Sequence, residues 1–204
     1  VAEEWVEKVT REGRAEVTAP ARDKPGATIV EIKFKHEDKE IVARGGAVYA
    51  PDKIGASAPV PDDFDEFWKA KIAELDAVPM NVQIEKIDIP GEKVEYYKIT
   101  LDNIRGTKIY GQLAKPVGDA KLPALLQVQW AGVYPLNRDW VLGPARQGRL
   151  AMNIIAHDLP IDGKDEFYKA KAGKELNDYP GQGNDDRETS YFLRMFLSCR
   201  RAVD

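Results

Sequence analysis

Leu122-Pro123-Ala124-Leu125-Leu126-Gln127-Val128 runs straight into Gln129-Trp130-Ala131-Gly132-Val133-Tyr134-Pro135, and this junction decides how the chain is read. The first seven residues lack the polar alternation of a half-wet strand. They predict a strand buried on both faces, as in a parallel or mixed sheet covered by helices. Gly132 then marks a tight turn. A second run of the same apolar character, residues 149–156, ends in His157-Asp158-Leu159-Pro160. Beyond a polar stretch, residues 185–204 form an amphipathic pattern with helical spacing. Strand, glycine turn, strand, polar loop and helix predict an α/β fold.

Working outward toward the N-terminus, Val30, Ile32 and Phe34 alternate with Glu31, Lys33 and Lys35, which predicts a strand with one wet face. Residues 40–44 and 47–50 read as two more short strands around a turn at Gly45-Gly46. Residues 1–50 are thus expected to be a small antiparallel β-rich segment, part of a β-sandwich. Residues 51–61, rich in Pro, Gly and Ser, are the expected linker, with the α/β domain over 62–204. Asp62 or Asp63 is placed to cap a helix carrying Phe64, Phe67, Trp68, Ile72 and Leu75 as core, with Pro79 beyond its end. Residues 82–89, 94–101 and 108–114 read as an antiparallel meander. Residues 158–184 read as a long functional loop or lid with one helical turn at 166–170. In the last helix, Tyr191, Phe192, Met195, Phe196, Cys199, Ala202 and Val203 form the expected apolar face. Arg187, Arg194, Arg200 and Arg201 form its polar side.

The 204 residues are 43% hydrophobic with a net charge of −4, and Lys and Arg form no block. Such a chain can bury a core, and it offers no stripe for nucleic acid or for an anionic membrane. No run of 18 apolar residues is present, so no membrane span is expected. The single cysteine, Cys199, excludes an internal disulfide and reads as a buried structural thiol. The start at Val1 without Met or a signal pattern suggests a removed leader or a fragment. The uncapped end at Asp204 suggests a missing continuation.

Few residues are equipped for chemistry. His36, His157 and Cys199 have no metal-ligand spacing, so neither metal nor cofactor is predicted. The serines are Ser57, Ser190 and Ser198, and none has the small neighbours that a strained nucleophile elbow requires. His157 and Asp158 are adjacent at a strand end, so Asp158 is badly placed to orient the imidazole. The pair could line a pocket, as ligands in open α/β sheets sit at such strand ends. Alternatively His157 hydrogen-bonds loop backbone. Trp130 to Tyr134 is either an ordinary glycine turn or the loop that presents one amide N–H to a reacting carbonyl, as the loop after an early strand does in α/β-hydrolases.

Three stretches carry a resemblance to a known family. They are Pro61-Asp62-Asp63-Phe64-Asp65-Glu66-Phe67-Trp68, the strand and turn from Leu125 to Tyr134, and Asp185-Asp186-Arg187-Glu188-Thr189-Ser190-Tyr191-Phe192-Leu193-Arg194 continuing to Arg201-Ala202-Val203-Asp204. Over about residues 60–204 the chain resembles acetyl xylan esterases and cephalosporin-C deacetylases. The resemblance implies the N-terminal portion of an α/β-hydrolase sheet, ending before the nucleophile elbow. It implies a Ser-His-Asp triad beyond Asp204, supplied by the C-terminal remainder of the same protein, whether as continuation or as a second chain. Where the family has His-Gly-Tyr this chain has Ala131-Gly132-Val133, so the Val133 N–H is the implied oxyanion donor. Trp130, Gly132, Tyr134, His157 and Asp158, in the turn and at the strand end, are the expected substrate-binding residues. The implied substrate is an acetylated carbohydrate or similar small ester, cleaved without metal or cofactor, in an extracellular or periplasmic setting that allows a homo-oligomer. The 204 residues alone are then expected to be inactive. The competing expectation is a non-catalytic carbohydrate-binding or interaction module, with Trp5, Tyr134, Trp140 and Tyr179 stacking on sugars.

Overall fold

Charged and apolar side chains alternate from Val30 to Lys35, and this stretch is extended in the computed structural model, which describes residues 18–204. Two units are distinguished, residues 1–61 and 62–204. In the first, β1 (Gly26–His36) pairs antiparallel with β2 (Lys39–Tyr49) as a single hairpin. The expected turn at Gly45-Gly46 is not there. β2 runs unbroken through both glycines, and the chain reverses at 37–38, where Glu37 takes φ 54°. Gly46 serves close strand approach instead, since a Cβ there would lie 2.6 Å from the Thr28 carbonyl oxygen. The expected buried face is also absent among the described residues, and Ile32 is 57% exposed. Among the described residues of this unit the two-stranded sheet has no second layer to cover either face. Trp5 lies outside the described residues.

The second unit is built on a five-stranded mixed sheet of order β3-β4-β5-β7-β6. β3 (Gln83–Ile87), β4 (Val94–Asp102) and β5 (Lys108–Pro116) form the antiparallel meander. β7 (Leu150–Ile154) pairs antiparallel with β5 and parallel with β6 (Ala124–Val128). Parallel neighbours need a crossover. It is supplied by α2 (Asp139–Arg146), whose Val141, Leu142 and Ala145 pack on Tyr96, Ala114 and Ala151. Sequence reasoning missed α2 because Gly143 and Pro144 sit inside it. The β6 expectation is corrected as well. Among the described residues β6 has β7 as its one neighbour, and its residues are half-buried or exposed rather than covered on both faces. Its apolar composition suits a central position, but composition does not choose neighbours.

Two helices pack together on this sheet's unit, α1 (Phe64–Asp76) and α4 (Tyr191–Val203), sharing a core of Leu75, Ile104, Leu193 and Leu197. Asp63 occupies the N-cap position of α1 but its side chain makes no cap bond. It instead accepts two hydrogen bonds from Arg187, at 2.9 and 2.6 Å. The polarity of α4 differs from expectation. Its buried stripe is Leu193, Leu197, Ser198 and Arg201, whereas Phe196 is 55% exposed and Val203 is exposed. Residues four apart share a helix face, and Leu193, Leu197 and Arg201 follow that spacing toward α1. Arg201 is 5% exposed and donates to the carbonyl of Leu75 and, at 2.9 Å, to that of Val78.

The stretch 158–184 is not bare loop. It contains α3 (Asp165–Ala172), two turns long, and a 3₁₀ turn at Tyr179–Gly181. Leu159, Ile161 and Tyr168 bury against Leu136 and Ile155. No helix among the described residues is long and apolar enough to cross a membrane.

Candidate active site

The site grows from the carboxyl ends of the parallel pair β6 and β7. Past β6, the Gln129 N–H donates to the Ile154 carbonyl at 3.1 Å, and its buried side chain braces the loop. Its amide nitrogen donates to the Tyr134 carbonyl at 2.6 Å, and its amide oxygen accepts from the Ala156 N–H at 3.2 Å. One side chain thus ties both ends of the 129–134 turn to the end of β7.

Gly132 sits at the crest of the turn with φ +119°, a conformation that L side chains rarely adopt. The Tyr134 ring lies 3.1 Å from where a Cβ would stand. Both polar backbone groups of Gly132 are held by buried aromatic residues. Its N–H donates to the Tyr179 hydroxyl at 3.1 Å, and its carbonyl oxygen lies 3.0 Å from His157 Nε2. A carbonyl can only accept, so Nε2 carries the proton. His157 Nδ1 then accepts from the Tyr191 hydroxyl at 2.8 Å. The Tyr179 ring meets the imidazole edge-on at 4.7 Å, and the Arg194 guanidinium lies over the Tyr191 ring at 4.8 Å.

His157 is 1% exposed. Burial pushes its pKa below the ordinary 6.5, opposed by the hydrogen bond to Gly132 and assisted by the Arg194 charge, so the ring is neutral. The sign for stability follows. Above pH 6.5 the folded and unfolded rings are both neutral. Below it the unfolded ring takes up a proton while the buried one does not, so stability falls as pH falls. Carboxylates held low contribute in a different window. Glu95, lowered to about 2 by Lys115 and then Lys86, loses its contribution only below the ordinary 4.5. Between pH 6.5 and 4.5, His157→Phe is therefore expected to flatten the loss of thermal stability. Melting temperatures measured across that range check this, and an unchanged slope would refute it.

The remaining residues of interest divide clearly. Val133 is half-buried against the Leu136 and Ile155 cluster, and no acceptor among the described residues takes its N–H. Tyr134 donates its hydroxyl to the Trp130 carbonyl at 3.0 Å and meets Trp140 edge-on at 6.3 Å. Trp130 itself points to solvent, 82% exposed. Asp158 is exposed and takes no part in the hydrogen bonds of His157. Gly132, Val133, Tyr134 and His157 thus share one turn, Trp130 flanks it, and Asp158 stands apart. Gln129, Tyr179 and Tyr191 were missed as site residues. Tyr179, read as an exposed sugar-stacking aromatic, is buried at 7% exposure. Tyr191, read as apolar face, works through its hydroxyl. Their only sequence signal was a hydroxyl on an aromatic ring in otherwise polar surroundings.

The serines serve structure. Ser190 precedes α4 and donates to the Asn184 amide oxygen at 2.8 Å. Ser198 is buried, accepts from Asn103 and donates to the Arg194 carbonyl. Burial pushes the Cys199 thiol up, so it stays protonated. No cluster of three or more His, Cys, Asp or Glu side chains able to hold a metal occurs among the described residues.

Comparison with known proteins completes the description. The family model described as Acetyl xylan esterase (AXE1) matches residues 52–204. The acetyl esterase Axe7A of Xylanibacter ruminicola is 28% identical over 205 residues, covering 97% of this chain and 45% of that protein. The acetyl xylan esterase from Paenibacillus sp. R4 superposes with a TM-score of 0.57 at 23% identity, over 71% of this chain and 46% of that one. Acetyl xylan esterase 1 from Thermoanaerobacterium sp. JW/SL YS485 gives 0.58 at 22% identity, over 71% and 45%. These two structures share the fold, that of α/β-hydrolases, and the chain spans about half the length of the relatives it matches. The matched segment takes in the whole sheet, the glycine turn and the helices around it, and the chain belongs to the acetyl xylan esterase family.

Proposed function

We propose that this chain is part of a serine esterase that removes acetyl groups from carbohydrate or similar small esters. The observation that carries the reading is the Gly132–Val133 peptide. It follows the carboxyl end of β6, the edge where ligands sit in open α/β sheets, and it keeps an N–H that no acceptor among the described residues takes. A serine supplied from beyond Asp204 attacks the acetyl carbonyl, and the carbonyl oxygen becomes an oxyanion that accepts from the Val133 N–H. Collapse expels the sugar alcohol and leaves an acetyl-serine, which water hydrolyses to acetate. One such donor is typically worth ~3 kcal/mol in the transition state. The open edge of β6 supports a further strand joining there, as part of the same protein or as a second chain. Trp130, exposed beside the turn, gives a sugar ring a face to stack on. Acetylated polysaccharide as substrate would put the enzyme outside the cytoplasm or in the periplasm.

The test compares two proteins. The full-length protein is expected to release acetate from acetylated xylan and to hydrolyse p-nitrophenyl acetate, while the 204 residues alone stay at background. Turnover by the purified 204 residues would sink the assignment of the nucleophile to the remainder. A full-length protein inert toward both substrates would sink the esterase reading.

A further inference from the structure

Resting on that reading, we infer that His157 is a positioning residue that aims the oxyanion donor through the opposite end of the same peptide. The Gly132 carbonyl and the Val133 N–H belong to one peptide unit. In a trans peptide these groups point in opposite directions, and no cis bond occurs among the described residues. Drawing the carbonyl oxygen onto His157 Nε2 at 3.0 Å therefore turns the N–H out toward the mouth of the turn.

The need for such a hold follows from Gly132 itself. Glycine has no Cβ to restrict it, so the plane after it would otherwise swing about two soft dihedrals. Here the planes on both sides are pinned. The Ala131–Gly132 unit is held by the Gly132 N–H donating to Tyr179, and the Gly132–Val133 unit by His157. The Tyr191 hydroxyl, at Nδ1, keeps the donating proton on Nε2. His157 is buried, so its ring is held in place by the protein rather than by water. Three elements distant in sequence converge on one glycine: the end of β7, the 3₁₀ turn at Tyr179–Gly181 and the first residue of α4.

The test uses the full-length protein with p-nitrophenyl acetate as substrate and a trifluoromethyl ketone as tetrahedral-adduct inhibitor. For His157→Phe, kcat is expected to fall by roughly 10- to 100-fold with KM within about threefold, and inhibitor affinity to fall by the same factor as kcat. His157→Gln, which keeps an amide donor at a similar reach, is expected to recover most of both losses. Three results would each overturn the inference: a folded His157→Phe with unchanged kcat, a kcat loss without loss of inhibitor affinity, or His157→Gln no better than His157→Phe. If His157→Phe does not fold, Tyr191→Phe takes its place. It removes the hydroxyl that keeps the donating proton on His157 Nε2 and is expected to lower kcat by roughly 3- to 10-fold, and unchanged kcat there overturns the inference equally. The underlying reading is checked separately by wild-type turnover and by covalent labelling with a fluorophosphonate. Wild-type failure in both sinks the reading and the inference together, whereas an active, labelled wild type with an indifferent His157→Phe sinks the inference alone.

Discussion

Replacing Gly132 by valine is expected to lower acetyl-ester turnover of the full-length protein by roughly 100-fold or more, with little change in its melting temperature. Two observations set the size. The φ of +119° is one that a β-branched residue does not tolerate, and the added Cβ would meet the Tyr134 ring at 3.1 and 3.2 Å. The turn must relax, and relaxation rotates the Val133 N–H away from the developing oxyanion. A displacement near 1 Å is enough to cost about two orders of magnitude in rate. The turn makes no sheet hydrogen bonds and its residues 130–135 are half-buried or exposed, so the fold loses little. Steady-state kinetics with p-nitrophenyl acetate reads the outcome. Wild-type kcat in the valine variant would mean that the turn presents no donor to the reaction.

Arg201→Ala is expected to destabilise the α/β unit by about 3 kcal/mol. The Arg201 side chain reaches across from α4 to the end of α1 and donates to the Leu75 and Val78 carbonyls. Truncation leaves the half-buried Val78 carbonyl short of a donor, while that of Leu75 keeps the Val78 N–H, and opens a void where the aliphatic stem packed. Arg201→Met keeps the stem and is expected to recover part of the loss. Chemical denaturation followed by tryptophan fluorescence is suited to this measurement, because Trp68 on α1 meets Phe196 on α4 edge-on at 5.9 Å. A loss below about 1 kcal/mol in the alanine variant would show that water enters and replaces the guanidinium.

The contrast between Gly132 and Arg201 shows what a sequence discloses. Gly132 was legible as a turn because a glycine after an apolar strand marks a backbone reversal. Arg201 was read as solvent-facing because arginine seldom buries, and the two carbonyls that receive it belong to another helix end. The same holds for β6 and for α2. The apolar run of β6 indicated a strand but not that it would pair parallel with β7. The Gly143-Pro144 pair argued against a helix that packing on Tyr96, Ala114 and Ala151 stabilises nonetheless. At the site, the turn and His157 were visible as candidates. Their connection was not, because the Gly132 carbonyl is a backbone group and Tyr179 and Tyr191 arrive from 47 and 34 residues away from the groups they hold.

By itself the sequence determined the strands of the five-stranded sheet, the long helices, the position of the glycine turn and the kinship of about residues 60–204, because these follow from local periodicity, backbone permissiveness and ordered motifs. Only the tertiary structure decided that β2 runs unbroken through Gly45-Gly46, which face of α4 was buried, and that a neutral buried histidine holds the glycine peptide. Those outcomes depend on which distant groups meet once the sheet and helices have packed, and no local pattern in the chain encodes that meeting.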